Sequence, residues 1–180
     1  MAGKQEGKGT AYDENEVPVY EGDFVGGLYD GQGKLFRADG SLEYEGAFSQ
    51  GVKSGDGKCF DAQGKLLYEG GFYNDLYEGD GKLYNAETGK VKYEGAFHNG
   101  AFSGDGKYYA DNGLLQYEGA FSGGLYNGAG KIYDTQKGTL EKEGTFLEGK
   151  FVPGSEKKDE KEKQDKKDSE NADSDDDDDE

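Results

Sequence analysis

Apolar and polar residues alternate with a period of two along most of the chain, in short segments that recur. The segment Tyr-Glu-Gly-x-Phe begins every 24 or 25 residues, at Tyr20, Tyr44, Tyr68, Tyr93 and Tyr117. Each copy is followed by Gly-x-Gly-Lys and then by an apolar and an aromatic residue. Because this period is typical of β-strands, each unit predicts two strands.

Short turns separate these predicted strands. Glycine or asparagine supplies the positive φ that tight hairpin turns need, at Asp39-Gly40, Gln63-Gly64, Glu87-Thr88-Gly89 and Asn112-Gly113. Every strand is therefore predicted to pair with its sequence neighbours. A turn at Asp39-Gly40 places Glu43 opposite Phe36, and a turn through residues 25–30 places Phe24 opposite Gly31.

Both turns also place Lys34 opposite a glutamate, which predicts one row of alternating charges across the sheet. The row consists of Glu21, Lys34, Glu45, Lys58, Glu69, Lys82, Glu94, Lys107, Glu118, Lys131 and Glu143. We call this row the Glu–Lys ladder. Each exposed pair contributes about 0.2–1 kcal/mol, so the ladder is expected mainly to fix the register.

The opposite face is predicted to carry two aromatic rows, with pairs of glycines between them. The aromatic residues are Tyr20, Tyr44, Tyr68, Tyr93 and Tyr117, with Phe24, Phe48, Phe72, Phe97 and Phe121. The structural glycines are Gly22, Gly33, Gly46, Gly57, Gly70, Gly81, Gly95, Gly106, Gly119 and Gly130. This pattern predicts a trough with a backbone floor and aromatic walls, in which a partner would bind.

Apolar pairs follow each Tyr-Glu-Gly-x-Phe segment, and their role is open between two alternatives. They are Leu28-Tyr29, Leu76-Tyr77, Ala101-Phe102 and Leu125-Tyr126. Either they cover the phenylalanine row as a small core, or they stand open as anchors for a partner. Covering is favoured, because soluble proteins seldom expose a large apolar patch. Lys53 replaces the aromatic residue in one repeat.

The recurring Tyr-Glu-Gly-x-Phe and Gly-x-Gly segments resemble the MORN (membrane occupation and recognition nexus) repeat. The resemblance covers about residues 7–154, with partial repeats at both ends. It implies an all-β fold, an elongated single-layer twisted antiparallel sheet of stacked β-hairpins. Residues 1–6 are expected to be a flexible N-terminus, and residues 155–180 a disordered acidic tail.

Charge limits the partners that such a chain can take. The net charge is -18, and residues 155–180 contribute 6 lysines and 14 acidic residues to it. An array that is itself negative disfavours nucleic acid, so none is expected as a partner. The charge also disfavours phospholipid, although lipid stays possible.

No residue pattern predicts catalysis, a cofactor or a metal site. The Gly-x-Gly-Lys segment lacks the spacing of a phosphate-binding loop and is explained as a strand. Cys59 and His98 are the single cysteine and histidine. Cys59 takes a position that is apolar or aromatic in other repeats, which indicates a packing role, and His98 is too distant along the sheet to pair with it.

The predicted function is therefore a non-enzymatic binding or scaffolding module. Its expected partner is a protein or a second copy of the chain as a homodimer, bound through the aromatic trough or the edge strands. The alternatives are peripheral attachment to phospholipid and targeting of a separate enzyme. With no apolar stretch resembling a signal peptide, a cytoplasmic location is expected, in association with the cytoskeleton or the inner face of a membrane.

Overall fold

The computed structural model describes residues 4–156, which form one open antiparallel sheet of 13 strands. The strands lie in the sheet in the order of the chain, so each pairs with its sequence neighbours. Their bounds are β1 Gly7–Tyr12, β2 Pro18–Val25, β3 Leu28–Phe36, β4 Leu42–Ser49, β5 Val52–Phe60, β6 Leu66–Tyr73, β7 Leu76–Tyr84, β8 Val91–His98, β9 Ala101–Tyr109, β10 Leu115–Ser122, β11 Leu125–Tyr133, β12 Leu140–Leu147 and β13 Lys150–Phe151.

The predicted all-β single sheet is confirmed, and it ends in a short strand of two residues, β13. Strands about 4.8 Å apart give the sheet a length of about 58 Å. Its breadth is set by strands of eight or nine residues through most of the array. The fold is therefore a long ribbon, one layer thick.

The Glu–Lys ladder is confirmed in full. Glu21 lies opposite Lys34, Lys34 opposite Glu45, and the alternation continues without interruption to Lys131 opposite Glu143. Nitrogen and oxygen approach to 3.5 Å in the pair Lys34–Glu45 and to 3.4 Å in the pair Lys58–Glu69. Because these side chains are largely solvated, the pairs define the register more than they stabilise the sheet.

Along one rim of the sheet, where the turn between β2 and β3 lies, the strand pairing differs from the prediction. Phe24 lies opposite Tyr29 and not opposite Gly31, because the register shifts by a β-bulge between Gly22 and Phe24. The strands consequently extend to a two-residue turn at Gly26-Gly27, with φ of 60° and 83°. Two consecutive positive φ angles are the geometry of a type I′ turn, whose twist matches that of the flanking strands.

The other rim also carries a bulge in each repeat. Leu42, and not Glu43, lies opposite Phe36, because the register shifts between Leu35 and Phe36. The turn is closed by a hydrogen bond from the Gly40 amide to the Arg37 carbonyl oxygen, 2.8 Å long. The predicted pairing of Glu43 with Phe36 is therefore wrong by one residue.

One continuous cluster of aromatic side chains forms the core. Each is at most 5% exposed: Tyr20, Phe24, Tyr44, Phe48, Tyr68, Phe72, Tyr93, Phe97, Tyr117, Phe121 and Phe146. The Tyr20 ring meets the Phe24 and Phe48 rings edge to face, with centroids 5.1 Å apart in both pairs. From Phe48 onwards, each core phenylalanine thereby joins one repeat to the one before it. Such ring pairs contribute about 0.5–1.5 kcal/mol beyond their burial.

The residues that flank the first and last strands are hydrogen-bonded to the sheet. The Gln5 carbonyl oxygen accepts a hydrogen bond from the Gly27 amide, 2.9 Å long. At the other end the Thr145 amide donates to the Ser155 hydroxyl oxygen, also 2.9 Å long. Residues 1–3 and 157–180 lie outside the described range, so the flexibility predicted for the N-terminus and the disorder predicted for the tail stay predictions.

The Tyr68 hydroxyl tests how much the core hydrogen bonds contribute. It donates to the Gly71 carbonyl oxygen across 3.0 Å, and the Tyr68 side chain has no exposed surface. Tyr68→Phe is expected to lower the free energy of unfolding by about 1 kcal/mol in urea titrations, because a buried acceptor loses its donor. Tyr73→Phe is the control, since Tyr73 is 61% exposed. An equal loss in both variants would contradict the assignment.

Candidate functional site

The tyrosine rings of the aromatic face lie on the paired glycines. A Cβ atom built on Gly57 would overlap the ring and hydroxyl of Tyr44, and one on Gly33 would overlap those of Tyr20. The same relation joins Gly81 to Tyr68, Gly106 to Tyr93 and Gly130 to Tyr117. Each tyrosine hydroxyl then donates to the carbonyl oxygen three residues further on, over 2.9–3.0 Å. The paired glycines therefore make room for the rings.

A second aromatic layer covers these rings. Tyr29 stacks on Tyr20 with centroids 3.7 Å apart, and Phe102 stacks on Tyr93 at 3.9 Å. Tyr77 and Tyr126 occupy the same position in their repeats. The leucine that precedes each covering tyrosine is about half exposed: Leu28, Leu76 and Leu125. The second residue of each apolar pair thus covers the core, while these leucines lie at the surface.

The ten aromatic residues predicted to wall a trough are thus buried beneath that layer. They are Tyr20, Phe24, Tyr44, Phe48, Tyr68, Phe72, Tyr93, Phe97, Tyr117 and Phe121, each 0–5% exposed. The trough is filled because the tyrosines fold down onto its glycine floor. Partner binding by these side chains stays a prediction, and a partner would have to displace the covering rings to reach them.

The second repeat replaces the covering ring with a cation. The Lys53 ammonium nitrogen lies 5.1 Å from the centroid of the Tyr44 ring and 3.1 Å from Oε1 of Glu43. A cation over an aromatic face is attracted by the ring quadrupole, so Lys53 takes the place of a stacked ring. Cys59 packs against the core nearby, and burial raises the pKa of its thiol. Its packing position agrees with the prediction.

The opposite face carries an open groove that the sequence did not predict. Its volume is about 1390 Å³, and it runs from Gln32 on β3 to Gly144 on β12. Backbone at the paired glycines forms the floor, and the Glu–Lys ladder forms one wall. The other wall lies two residues away on the same strands and includes Gln32, Asp56, Asp80, Asp105 and Ala129. We call this feature the polar groove.

The groove is acidic, and part of its charge has no counterion. Eight carboxylates and four lysines line it. Within residues 4–156, Asp56, Asp80 and Asp105 take part in no ion pair, and all three are exposed. The residue between the glycines of Gly-x-Gly-Lys is aspartate in three repeats, a signal in the sequence that would have revealed this row.

Tyrosines on the outer side of the Glu–Lys ladder donate hydrogen bonds to three of its glutamates. The hydroxyl of Tyr84 donates to Glu69 over 2.6 Å, that of Tyr109 to Glu94 over 2.7 Å, and Tyr133 makes the same contact with Glu118 at 3.3 Å. The Tyr84 hydrogen bond, with help from Lys58, lowers the pKa of the Glu69 carboxyl. The lowered pKa favours the ionised form of Glu69, and the three hydrogen bonds hold the glutamates along the groove wall.

The single histidine belongs to the rim. His98 Nδ1 lies 3.0 Å from Oε1 of Glu78, and the Asn99 amide donates to Oε2 of the same carboxylate over 2.9 Å. These hydrogen bonds, that of the Asn99 amide foremost, lower the pKa of Glu78. Cys59 on β5 and His98 on β8 are three strands apart, about 14 Å, so they do not meet as a nucleophile and its base.

The repeat geometry agrees with one known family. Five consecutive segments match the MORN repeat, at residues 20–42, 44–65, 68–86, 93–114 and 117–138. The chain belongs to the MORN repeat family. Each matched segment begins at a core tyrosine and contains one hairpin except for the first two residues of its first strand. One MORN repeat thus supplies one core tyrosine, one pair of glycines and one Glu–Lys pair of the ladder.

Two further observations leave this assignment unchanged. A search of curated proteins finds no match to the chain. Within residues 4–156, the MORN array contains no helix long and apolar enough to cross a membrane. The MORN family assignment therefore rests on the five repeats themselves.

A double-variant experiment tests the contact of ring and glycine. Gly57→Ala is expected to lower the free energy of unfolding by about 1–3 kcal/mol, because the added Cβ overlaps the Tyr44 ring. In the Tyr44→Ala background that ring is absent, and the same change is expected to cost little or to stabilise, since alanine is favoured over glycine in a strand by about 0.5–1 kcal/mol. Urea unfolding of the four proteins measures both costs. Equal costs in the two backgrounds would show that the ring and glycine are not coupled.

Burial of the tyrosines also predicts the alkaline limit of stability. Desolvation by burial raises the pKa of Tyr93 and of Tyr117 to about 12, against about 10 in an unfolded chain. Between these values the unfolded chain releases protons that the folded chain keeps, so stability is full below a pH of about 10 and falls as the pH rises towards 12.

Parallel alkaline titrations of tyrosinate absorbance and of circular dichroism check this. Ionisation of the core tyrosines is expected to coincide with loss of the sheet signal. Complete ionisation with the sheet intact would contradict the burial of these hydroxyls.

Proposed function

We propose that this MORN array is a non-enzymatic binding and scaffolding module that holds a protein segment or a second copy of itself. The polar groove is the observation that carries the proposal. It is a concave strip of about 1390 Å³ on the uncovered face of a one-layer sheet. A concave surface with fixed polar groups suits recognition of an extended chain.

The core supports the scaffolding part of the proposal. Edge-to-face ring contacts join consecutive repeats from Tyr20 on β2 to Phe146 on β12. A continuous core of this kind makes neighbouring repeats stabilise one another, so the array behaves as one platform. An extended rigid surface keeps the bound segment in a fixed direction.

The first strand supports the alternative of self-association. β1, Gly7–Tyr12, has a neighbour on one side only within the described sheet. Such an edge pairs readily with another strand, including the same strand of a second copy. The far end is more protected, because the Val152 amide and the Ser155 hydroxyl engage Thr145 beyond the short β13.

Charge favours protein over lipid among the remaining alternatives. Residues 1–154 carry 15 basic and 25 acidic residues, which repels an anionic bilayer. Attachment to phospholipid and targeting of a separate enzyme are therefore secondary proposals. The proposed location is the cytoplasm, at the cytoskeleton or the inner face of a membrane.

Site-specific photocrosslinking in the native cell tests the proposal. A benzophenone amino acid replaces Asp80 in the groove in one variant and Glu87, an exposed turn residue, in the other. We expect discrete crosslinked protein bands from position 80 that are absent from position 87. Bands of equal intensity at both positions, or lipid adducts alone at position 80, would contradict a protein-binding groove.

A further inference from the structure

The three unpaired aspartates of the polar groove recur at a fixed distance. Asp56, Asp80 and Asp105 lie on β5, β7 and β9, in one row beside the glycine floor. Alternate strands of a sheet are about 9.6 Å apart. From β5 to β9 the groove therefore presents one free carboxylate about every 9.6 Å.

The residues beside these aspartates leave them accessible. Asp56 lies opposite Gly71, and Asp80 lies opposite Ala96. Asp105 likewise lies opposite Ala120. Glycine has no side chain and alanine has only a methyl group, so neither residue covers or neutralises a carboxylate. All three charges therefore face the open groove.

This spacing matches one backbone conformation. A polyproline II segment has three residues per turn and rises about 3.1 Å per residue, so every third side chain points the same way at intervals of about 9.3 Å. In a β-strand every third side chain points to the opposite side, and an α-helical turn rises only about 5.4 Å. Only the polyproline II segment therefore advances one turn per MORN repeat.

We propose that the polar groove binds a basic protein segment in the polyproline II conformation, running across the strands. One lysine or arginine of the segment pairs with each of Asp56, Asp80 and Asp105, and the segment's backbone lies on the glycine floor. The inference rests on the proposed function as a binding module and specifies the chemistry of its partner. The net negative charge of the groove lining complements such a segment.

Two synthetic peptides of equal composition test the spacing. One contains four copies of Lys-Pro-Pro, which fixes the polyproline II conformation and places a lysine at every third position. The other carries the same four lysines consecutively, between two runs of proline. Fluorescence anisotropy of each labelled peptide with the full chain measures binding. We expect the spaced peptide to bind about tenfold more tightly, a difference of about 1.4 kcal/mol.

Two charge-matched triple variants test the position. Asp56→Asn, Asp80→Asn and Asp105→Asn together are expected to weaken binding of the spaced peptide about tenfold, since three exposed ion pairs are lost. The control combines Glu14→Gln, Glu87→Gln and Glu141→Gln, which are exposed and do not line the groove. It removes the same charge, and we expect it to leave the affinity within about twofold. Circular dichroism verifies the sheet in both variants.

Three results would overturn the inference. Equal affinity for the two peptides would show that the spacing of the lysines does not matter. Equal loss of affinity in the two triple variants would show that Asp56, Asp80 and Asp105 do not form the binding site. If neither peptide binds and the protein has the mass of two chains at every concentration, the groove is occupied by a second copy of the chain. Each of these leaves the photocrosslinking result at position 80 unaffected, so failure of the ligand class is distinguishable from failure of the binding function.

Discussion

The contact between each core tyrosine and a pair of glycines is the constraint on which the rest of this structure depends. A one-layer sheet has no second layer to bury its apolar face, so that face must cover itself. Here the Tyr44 ring folds down onto Gly57, its hydroxyl satisfies a backbone oxygen, and the Lys53 side chain lies above it. In other repeats a ring takes the place of Lys53. The aromatic face is thus a complete core within one strand layer.

The same glycines shape the opposite face. Because their positions carry no side chain, the tyrosine rings occupy the space beside them on the aromatic side, and their backbone forms the groove floor on the other side. The Glu–Lys ladder and the aspartate row then stand on either side of that floor. One requirement, room for a ring, therefore produces both the core and the surface that we propose binds a partner. The aromatic face stabilises the sheet, and the opposite face is the one that we propose recognises a partner.

Much of the fold was predictable because the repeat imposes it five times. The two-residue period, the turn glycines and the charge alternation agree on one register, and the Glu–Lys ladder is confirmed in every pair. The bulge at Glu43 was not predictable, because alternation alone does not reveal an extra residue. The filling of the trough depends on the rotamer of Tyr44 and its neighbours, which sequence spacing does not determine. The aspartate row, by contrast, was visible at Asp56, Asp80 and Asp105.

The most direct test of the ring and glycine contact is nuclear magnetic resonance of the full chain. A proton held against the face of an aromatic ring is shifted upfield. The Hα protons of Gly57, Gly81 and Gly106 are therefore expected upfield of their usual range, with nuclear Overhauser contacts to the rings of Tyr44, Tyr68 and Tyr93 respectively. Ordinary strand shifts at these glycines, without contacts to the tyrosines, would contradict a core built from rings lying on backbone.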